Sequence, residues 1–309
     1  MLVPVYDIAA CGPRSRFVAN GKLVHNSEKI NLQNLPQPHK SKLRSALRAP
    51  PGHMVVGADL AQIEARLAGW LAGQTSLVDA FRSGIDVYSA FGTKLYGRTI
   101  TKADKRERFL AKTAVLGLQY GMGPDKYIGT CRAQENIKVD LQEATKVVYI
   151  YRDTYSRIPE LWRTLDGALD VMAEPGCKMQ IGPVVFKHRE VVLPNGMSLV
   201  YPNLERTIEG YQYTFGRELR HIYGGKLLEN ITQALATLVI KANMLSIYTK
   251  LGTRPALQIH DEVVYIIQKQ FLDNWIVGVQ HIMATPPPWC LDAPLGVEIN
   301  YGATLGDCK

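Results

Sequence analysis

The residues best suited to chemistry here are carboxylates at the ends of apolar runs and cations spaced along one helix. Asp59 closes the run that begins at Met54-Val55-Val56, whose β-branched residues suit a covered strand. Ile63, Leu67, Trp70 and Leu71 then recur at helical spacing. An acid between strand and helix can cradle a hard cation, and it can equally well cap the helix. His260-Asp261-Glu262 separates two apolar runs, 256–259 and 263–267. It reads either as the polar tip of an ordinary hairpin or as a second strand-end acid that meets Asp59. Two carboxylates on adjacent strands would share a pair of divalent ions about 4 Å apart, clamping the attacking and leaving oxygens of an in-line phosphoryl displacement. Mg²⁺ suits carboxylates, water and substrate phosphates, and Mn²⁺ can take its place.

Arg108, Lys112, Leu116 and Tyr120 follow one another at four-residue steps, a slanting stripe roughly 18 Å long on a helix. Two cations, an aliphatic residue and an aromatic match a nucleoside triphosphate laid along that face, phosphates on the cations and base by the ring. A solvated basic face running into core gives the same pattern.

The elements that must carry these groups follow from periodicity. Helices are expected at residues 86–96, 102–120, 141–155, 158–173 and 226–250, the last with a broad apolar face from Leu227 to Leu245. Residues 174–205 alternate Val-rich runs with Pro-Gly, Gly-Pro and Asn-Gly turns, which predicts hairpins. Residues 1–26 read as three short strands, 3–8, 16–19 and 22–24, with an Asn20-Gly21 turn. So few strands cannot hold a core alone.

A 309-residue chain can hold more than one domain, and a formal charge of +8 favours a polyanionic partner. Five scattered cysteines with no CxxC pair suggest neither a disulfide framework nor a zinc site, so a reducing cytoplasm is expected. No run of about 18 apolar residues exists, so no membrane partner is expected.

From Ser27 to Lys309 the order and wording of the motifs resemble family A DNA polymerases. DLAQIEARLAGW is similar to the family's first motif, RERFLAKTAVLGLQYGMG to its fingers-helix motif and LQIHDEVV to its third. SEKINLQNLP resembles its template-contact segment, and GGKLLENITQALATLVIKANM its minor-groove helix. The resemblance implies an α+β fold, a right-hand palm sheet with mostly helical fingers: palm at 27–69 and 206–309, fingers at 70–205. It implies that Asp59, the Leu60 carbonyl and Asp261 hold two metal ions, with Glu262 as a further acid. Lys112 becomes the phosphate contact and general acid, and Arg108 a second phosphate contact. Tyr120 resembles the residue stacking near the templating position, and Glu64 the steric gate against a ribose 2′-hydroxyl. Gln62, Leu116 and Tyr88 join the nucleotide site. Gln33, Asn34, Gln233 and His260 are similar to residues touching template or primer, and Arg44 joins them through phosphate. Leu116 stands where the family most often has Phe or Tyr, Tyr88 where it commonly has His, and the C-terminus lacks a frequent Trp. Primer-template DNA and dNTPs are the implied partners.

The first 26 residues carry a second resemblance. VYDI, RFVANGKLVHN and the junction His25-Asn26-Ser27 are similar to the closing blocks of inteins. In that chemistry an Asn side-chain amide attacks its own carbonyl and breaks the chain, an imidazole polarises the bond, and a hydroxyl accepts the upstream segment. The implied entity is a small all-β C-terminal fragment of a split intein. It would join residues 27–309 in trans to an upstream polymerase half that bears the N-terminal intein fragment. Ser15 stands where that family often has His.

Two other classes compete. A related single-subunit RNA polymerase or reverse transcriptase would share the acids, but Glu64 argues against ribonucleotides. A DNA-binding assembly module would show salt-sensitive affinity without turnover.

Overall fold

The computed structural model describes residues 16–19 and 22–25 by their backbone and residues 43–308 in full. Asn26, Ser27, Gln33 and Asn34, and the strand expected at residues 3–8, lie outside the described residues. Within the N-terminal segment, β1 (Arg16–Ala19) and β2 (Lys22–His25) pair antiparallel, with Arg16 opposite His25 and Ala19 opposite Lys22.

Helix and strand are mixed, as the patterns predict. The elements after the first hairpin run α1 (Leu43–Ala46), β3 (His53–Leu60), α2 (Ile63–Leu71), α3 (Thr75–Arg82), α4 (Val87–Tyr96), α5 (Lys105–Leu118), α6 (Pro124–Glu135), α7 (Leu141–Thr154) and α8 (Arg157–Ala173). Seven short strands follow: β4 (Met179–Ile181), β5 (Val184–Lys187), β6 (Glu190–Val192), β7 (Ser198–Val200), β8 (Glu205–Thr207), β9 (Gly210–Phe215) and β10 (Glu218–Ile222). The chain closes with α9 (Gly224–Leu251), β11 (Leu257–Ile259), β12 (Glu262–Gln268), α10 (Leu272–Ala284) and β13 (Val297–Gly302).

The chain divides into two compact units. One draws on the described residues up to Gly57, on Pro255–Gln270 and on the stretch from Asn300. Its framework is a four-stranded sheet in the order β11-β12-β3-β13, with β3 and β13 continuing into the other unit. Leu257 pairs with Val264 and Ile259 with Glu262. Val55, Ile259, Val264, Leu305 and Cys308 form its buried cluster, so residues from three distant stretches of sequence share one small core.

The second unit, Ala58–Arg254 with Phe271–Ile299, is mostly helical. α9 packs against α8, α2 and α10, and α4 against α5. The apolar periodicity of α9 explains why it lies at this crossroads: Leu227, Leu228, Ile231, Leu235 and Val239 are all buried. By length and composition alone α9 could cross a bilayer; 39% of the qualifying window is buried inside the protein. The hairpins expected at 174–205 form a four-stranded sheet, β4-β5-β6-β7, and a three-stranded sheet, β10-β9-β8, follows it.

Several boundaries differ from the periodicity. The helix expected at 102–120 begins only at Lys105, because the Asp104 carboxylate takes the Thr101 amide and hydroxyl and fixes a turn there. Tyr120 lies beyond the last helical residue, in a turn closed by Tyr120 N–H to the Gly117 carbonyl. Pro124 occupies the first turn of α6, where the missing N–H costs no hydrogen bond.

Candidate active site

Asp59 is the penultimate residue of β3, half-buried, and the buried Leu60 ends the strand. The N-cap position of the helix that follows is Gln62, three residues past Asp59, and the Gln62 side chain makes no capping hydrogen bond. Gln62 adopts a left-handed backbone, φ 48°, which turns the chain sharply from strand to helix. The turn is held by Arg66, one helical turn on. Its Nε donates to the Ala61 carbonyl at 2.7 Å, Nη1 to the Pro294 carbonyl at 2.8 Å and Nη2 to the Gln62 side chain at 3.2 Å. The guanidinium also lies 4.4 Å from the centre of the Phe81 ring. Burial lowers its pKa, but three acceptors keep its cation satisfied. Arg66 therefore fixes the backbone immediately after the first acid, a role that its spacing within an amphipathic helix does not announce.

The second acid sits on a shorter tip than expected. His260 and Asp261 alone connect β11 to β12, with His260 left-handed at φ 53° and its carbonyl taking a hydrogen bond from Gln258 Nε2. Glu262 already belongs to β12 and is 2% exposed. Both nitrogens of the Arg44 fork reach Glu262 Oε2 at 3.0 Å, so the two form a bidentate buried pair. Two expectations are corrected by this pair. Arg44 is itself only 2% exposed and is directed at Glu262, which removes it from any phosphate. Glu262 is a buried partner of Arg44 and not a surface acid at the hairpin tip.

Asp59 lies on β3 within the mostly helical unit, and Asp261 lies in the two-residue turn before β12 within the other unit. Carboxylates and a main-chain carbonyl are the donors a hard divalent cation prefers. Among the described residues no three His, Cys, Asp or Glu side chains gather into a metal cluster.

Arg108, Lys112 and Leu116 lie on α5 with Tyr120 just beyond its end, and these side chains are more heavily engaged than their spacing predicts. Arg108 Nε donates to Asp86 at 2.8 Å, and Asp86 caps α4. Lys112 is exposed, with Nζ 5.9 Å from the centre of the Tyr88 ring. Tyr88 is 5% exposed, and burial pushes its phenol up to about 12. Leu116 is half-buried. Tyr120 donates its phenolic hydrogen to Glu64 Oε2 at 2.8 Å, and burial together with that carboxylate keeps the phenol protonated far above the usual tyrosine range. Tyr120 and Glu64, two residues that the sequence singles out separately, are thus one hydrogen-bonded pair. Gln233 is exposed on α9, and His260 is exposed at its turn.

A close approach brings α9 to this region. A Cβ on Gly225 would lie 2.6 Å from the Tyr120 carbonyl oxygen, and one on Gly224 would collide with the Trp162 carbonyl. Trp162 in turn donates its indole N–H to the Gln119 carbonyl at 2.8 Å. Two adjacent glycines before a long apolar helix were the available signal for this packing.

Comparison with known proteins decides the family. The sequence model described as DNA polymerase family A matches residues 15–169, just over half of the 309. The chain belongs to DNA polymerase family A. Its family A relatives include the thermostable DNA polymerase I of Thermus filiformis, 26% identical over 298 residues, which cover 94% of this chain and 32% of that protein. DNA polymerase I of Pseudomonas aeruginosa is 26% identical over 295 residues, 92% of this chain and 28% of the relative. The DNA polymerase of Bacillus phage SP02 is 27% identical over 277 residues, 83% of this chain and 42% of the relative. The chain thus spans about a third of the length of the family A polymerases it matches first. The POL domain of Pol1 from M. smegmatis, solved in complex with DNA primer-template and dNTP, superposes with a TM-score of 0.63 at 21% identity, covering 90% of this chain and 45% of that one. That likeness shows a shared fold.

Proposed function

We propose that this chain is the C-terminal palm and fingers part of a DNA-dependent DNA polymerase that adds dNTPs to a primer 3′ end. Membership of family A carries the reading. It is supported by a basic helix, α5, followed two residues on by Tyr120, which is hydrogen-bonded to Glu64 in the first turn of α2. In this reading residues 27–69 and 206–309 make the palm, and residues 70–205 the fingers.

Asp59, Asp261 and the Leu60 carbonyl would hold two Mg²⁺ ions, which supply electrostatic stabilisation of the attacking and leaving oxygens when bound. Arg108 and Lys112 bind the triphosphate, and Lys112 delivers a proton to the departing pyrophosphate. Glu64, oriented by Tyr120, occupies the space a 2′-hydroxyl would need. Gln62, Leu116 and Tyr88 line the nucleotide site. Gln33, Asn34, Gln233 and His260 meet the primer-template.

Residues 1–26 act as the C-terminal fragment of a split intein, with His25, Asn26 and Ser27 at the junction and an upstream polymerase half as partner. The sequence wording of that segment supports this. The family match begins at residue 15, ahead of the junction, so the competing assignment makes residues 15–26 polymerase. Co-expression with an upstream half decides between them. A ligated product lacking the first 26 residues, capable of primer extension and silenced by Asp59→Ala or Asp261→Ala, is the expected outcome. A product that retains residues 15–26 ends the splicing assignment, and undiminished extension by the acid variants ends the metal assignment.

A further inference from the structure

Asp86 carries two duties with one carboxylate. Its Oδ1 accepts from the Tyr88 and Ser89 amides at 3.2 and 3.4 Å, and Oδ2 from the Ser89 hydroxyl at 2.9 Å, which caps α4. The same Oδ2 takes Arg108 Nε at 2.8 Å, from a helix 22 residues further along the chain. The guanidinium centre lies 5.5 Å from the Tyr88 ring and the Lys112 ammonium 5.9 Å from it, so one buried aromatic faces both cations. A guanidinium held through Nε has its plane and its stem fixed, while the two terminal amino groups carry the other four donors. The pair is only about a quarter exposed on each side, which limits screening by water. Burial by itself would raise the Asp86 pKa, but the Arg108 and Ser89 hydrogen bonds outweigh it and hold the carboxyl ionised below its ordinary range.

Two effects of Asp86 on an incoming triphosphate oppose each other. Its negative charge offsets one of the two cations and weakens long-range attraction. Its hydrogen bond orders a long, flexible side chain before the ligand arrives, which removes that ordering cost from binding. We infer that the second effect dominates and that Asp86 is a positioning residue for nucleotide binding, setting the Arg108 fork beside Lys112 on the Tyr88 ring. The inference rests on the reading of the α5 stripe as the triphosphate site. It adds a residue from α4 that touches no phosphate itself and acts through Arg108.

The test separates capping from positioning, because Asn caps a helix as well as Asp does but cannot make the charged bond to Arg108. dATP in magnesium chloride is titrated into the full chain, and thermal midpoints are recorded alongside. Asp86→Asn is expected to weaken dATP binding about fivefold to tenfold, the scale of one coupling between contacting groups, with the chain still folded at the titration temperature. Arg108→Lys keeps the charge, loses the fixed fork and leaves the α4 cap untouched; it is expected to fall to the same level. In an Arg108→Ala background, Asp86→Asn is expected to have no further effect. Tighter or unchanged binding by Asp86→Asn, or an equal loss in the Arg108→Ala background, overturns the inference while leaving the stripe intact. If Arg108→Ala and Lys112→Ala both bind dATP as the natural chain does, the triphosphate reading falls and the inference with it.

Discussion

Tyr120 and Glu64 are 56 residues apart in sequence and joined by one hydrogen bond, phenol to carboxylate, at 2.8 Å. The bond ties the turn after α5 to the first turn of α2, so the group proposed to read the sugar is oriented by the group proposed to lie near the base.

Tyr120→Phe removes the donor and leaves Glu64 without that restraint. In the proposed polymerase the ratio of ribonucleotide to deoxyribonucleotide incorporation is expected to rise by roughly tenfold, the scale of one charge-assisted hydrogen bond. Single-nucleotide primer extension with each substrate measures it; an unchanged ratio would show that Glu64 needs no partner.

Arg44 and Glu262 are a pair whose halves cannot be removed singly. Arg44→Met leaves a carboxylate buried at 2% exposure without its bidentate partner and is expected to cost about 3–5 kcal/mol in denaturant unfolding. Arg44→Met with Glu262→Leu restores apolar packing and is expected to recover most of that loss. A double variant as unstable as the single one would sink this account.

Gly225→Ala sets a methyl group against the Tyr120 carbonyl, where the space allows only 2.6 Å. The backbone must shift, and overpacking of this kind costs about 1–3 kcal/mol. The thermal midpoint is expected to fall. Discrimination against ribonucleotides should loosen with it, because Tyr120 would be displaced from Glu64. Loss of stability with unchanged discrimination would mean that the two glycines serve packing alone.

Asp104 is held at about 2 by the Arg98 hydrogen bond first and then by the Thr101 amide and hydroxyl. An unfolded aspartate titrates at about 3.9. Because the folded value is depressed, the stabilisation is complete above about pH 4 and is lost as pH falls through about 2. Asp86, also depressed, adds to the slope in the same direction. Circular dichroism in acid should show the natural chain losing structure between about pH 4 and 2. Asp104→Asn should be less stable at neutral pH and flatter across that window.

Much of this architecture is legible from residue pattern, and the gaps have physical causes. The stripe from Arg108 to Tyr120 is visible because helical spacing is local, but Asp86 is not, since nothing in the spacing says which acid meets Arg108. Arg44 reads as a phosphate contact only through the family resemblance, and nothing local announces its 2% exposure, which depends on an acid 218 residues away. Glu262 reads as part of a polar tip because three polar residues stand together, whereas strand pairing with Ile259 draws it into the sheet.

The separation of Arg44 from Glu262 also governs timing. At about 5–20 residues per second, a ribosome needs roughly 10–40 s to make the 218 positions between them. The helical unit from Ala58 to Arg254 is synthesised within that interval and can collapse first. The strand bearing Asp59 must meanwhile wait, its edge unpaired with β12, for residues near the far end of the chain. The nascent chain is therefore most exposed to aggregation or to chaperone capture until β12 has been made, and slow codons beyond residue 254 would lengthen that exposure.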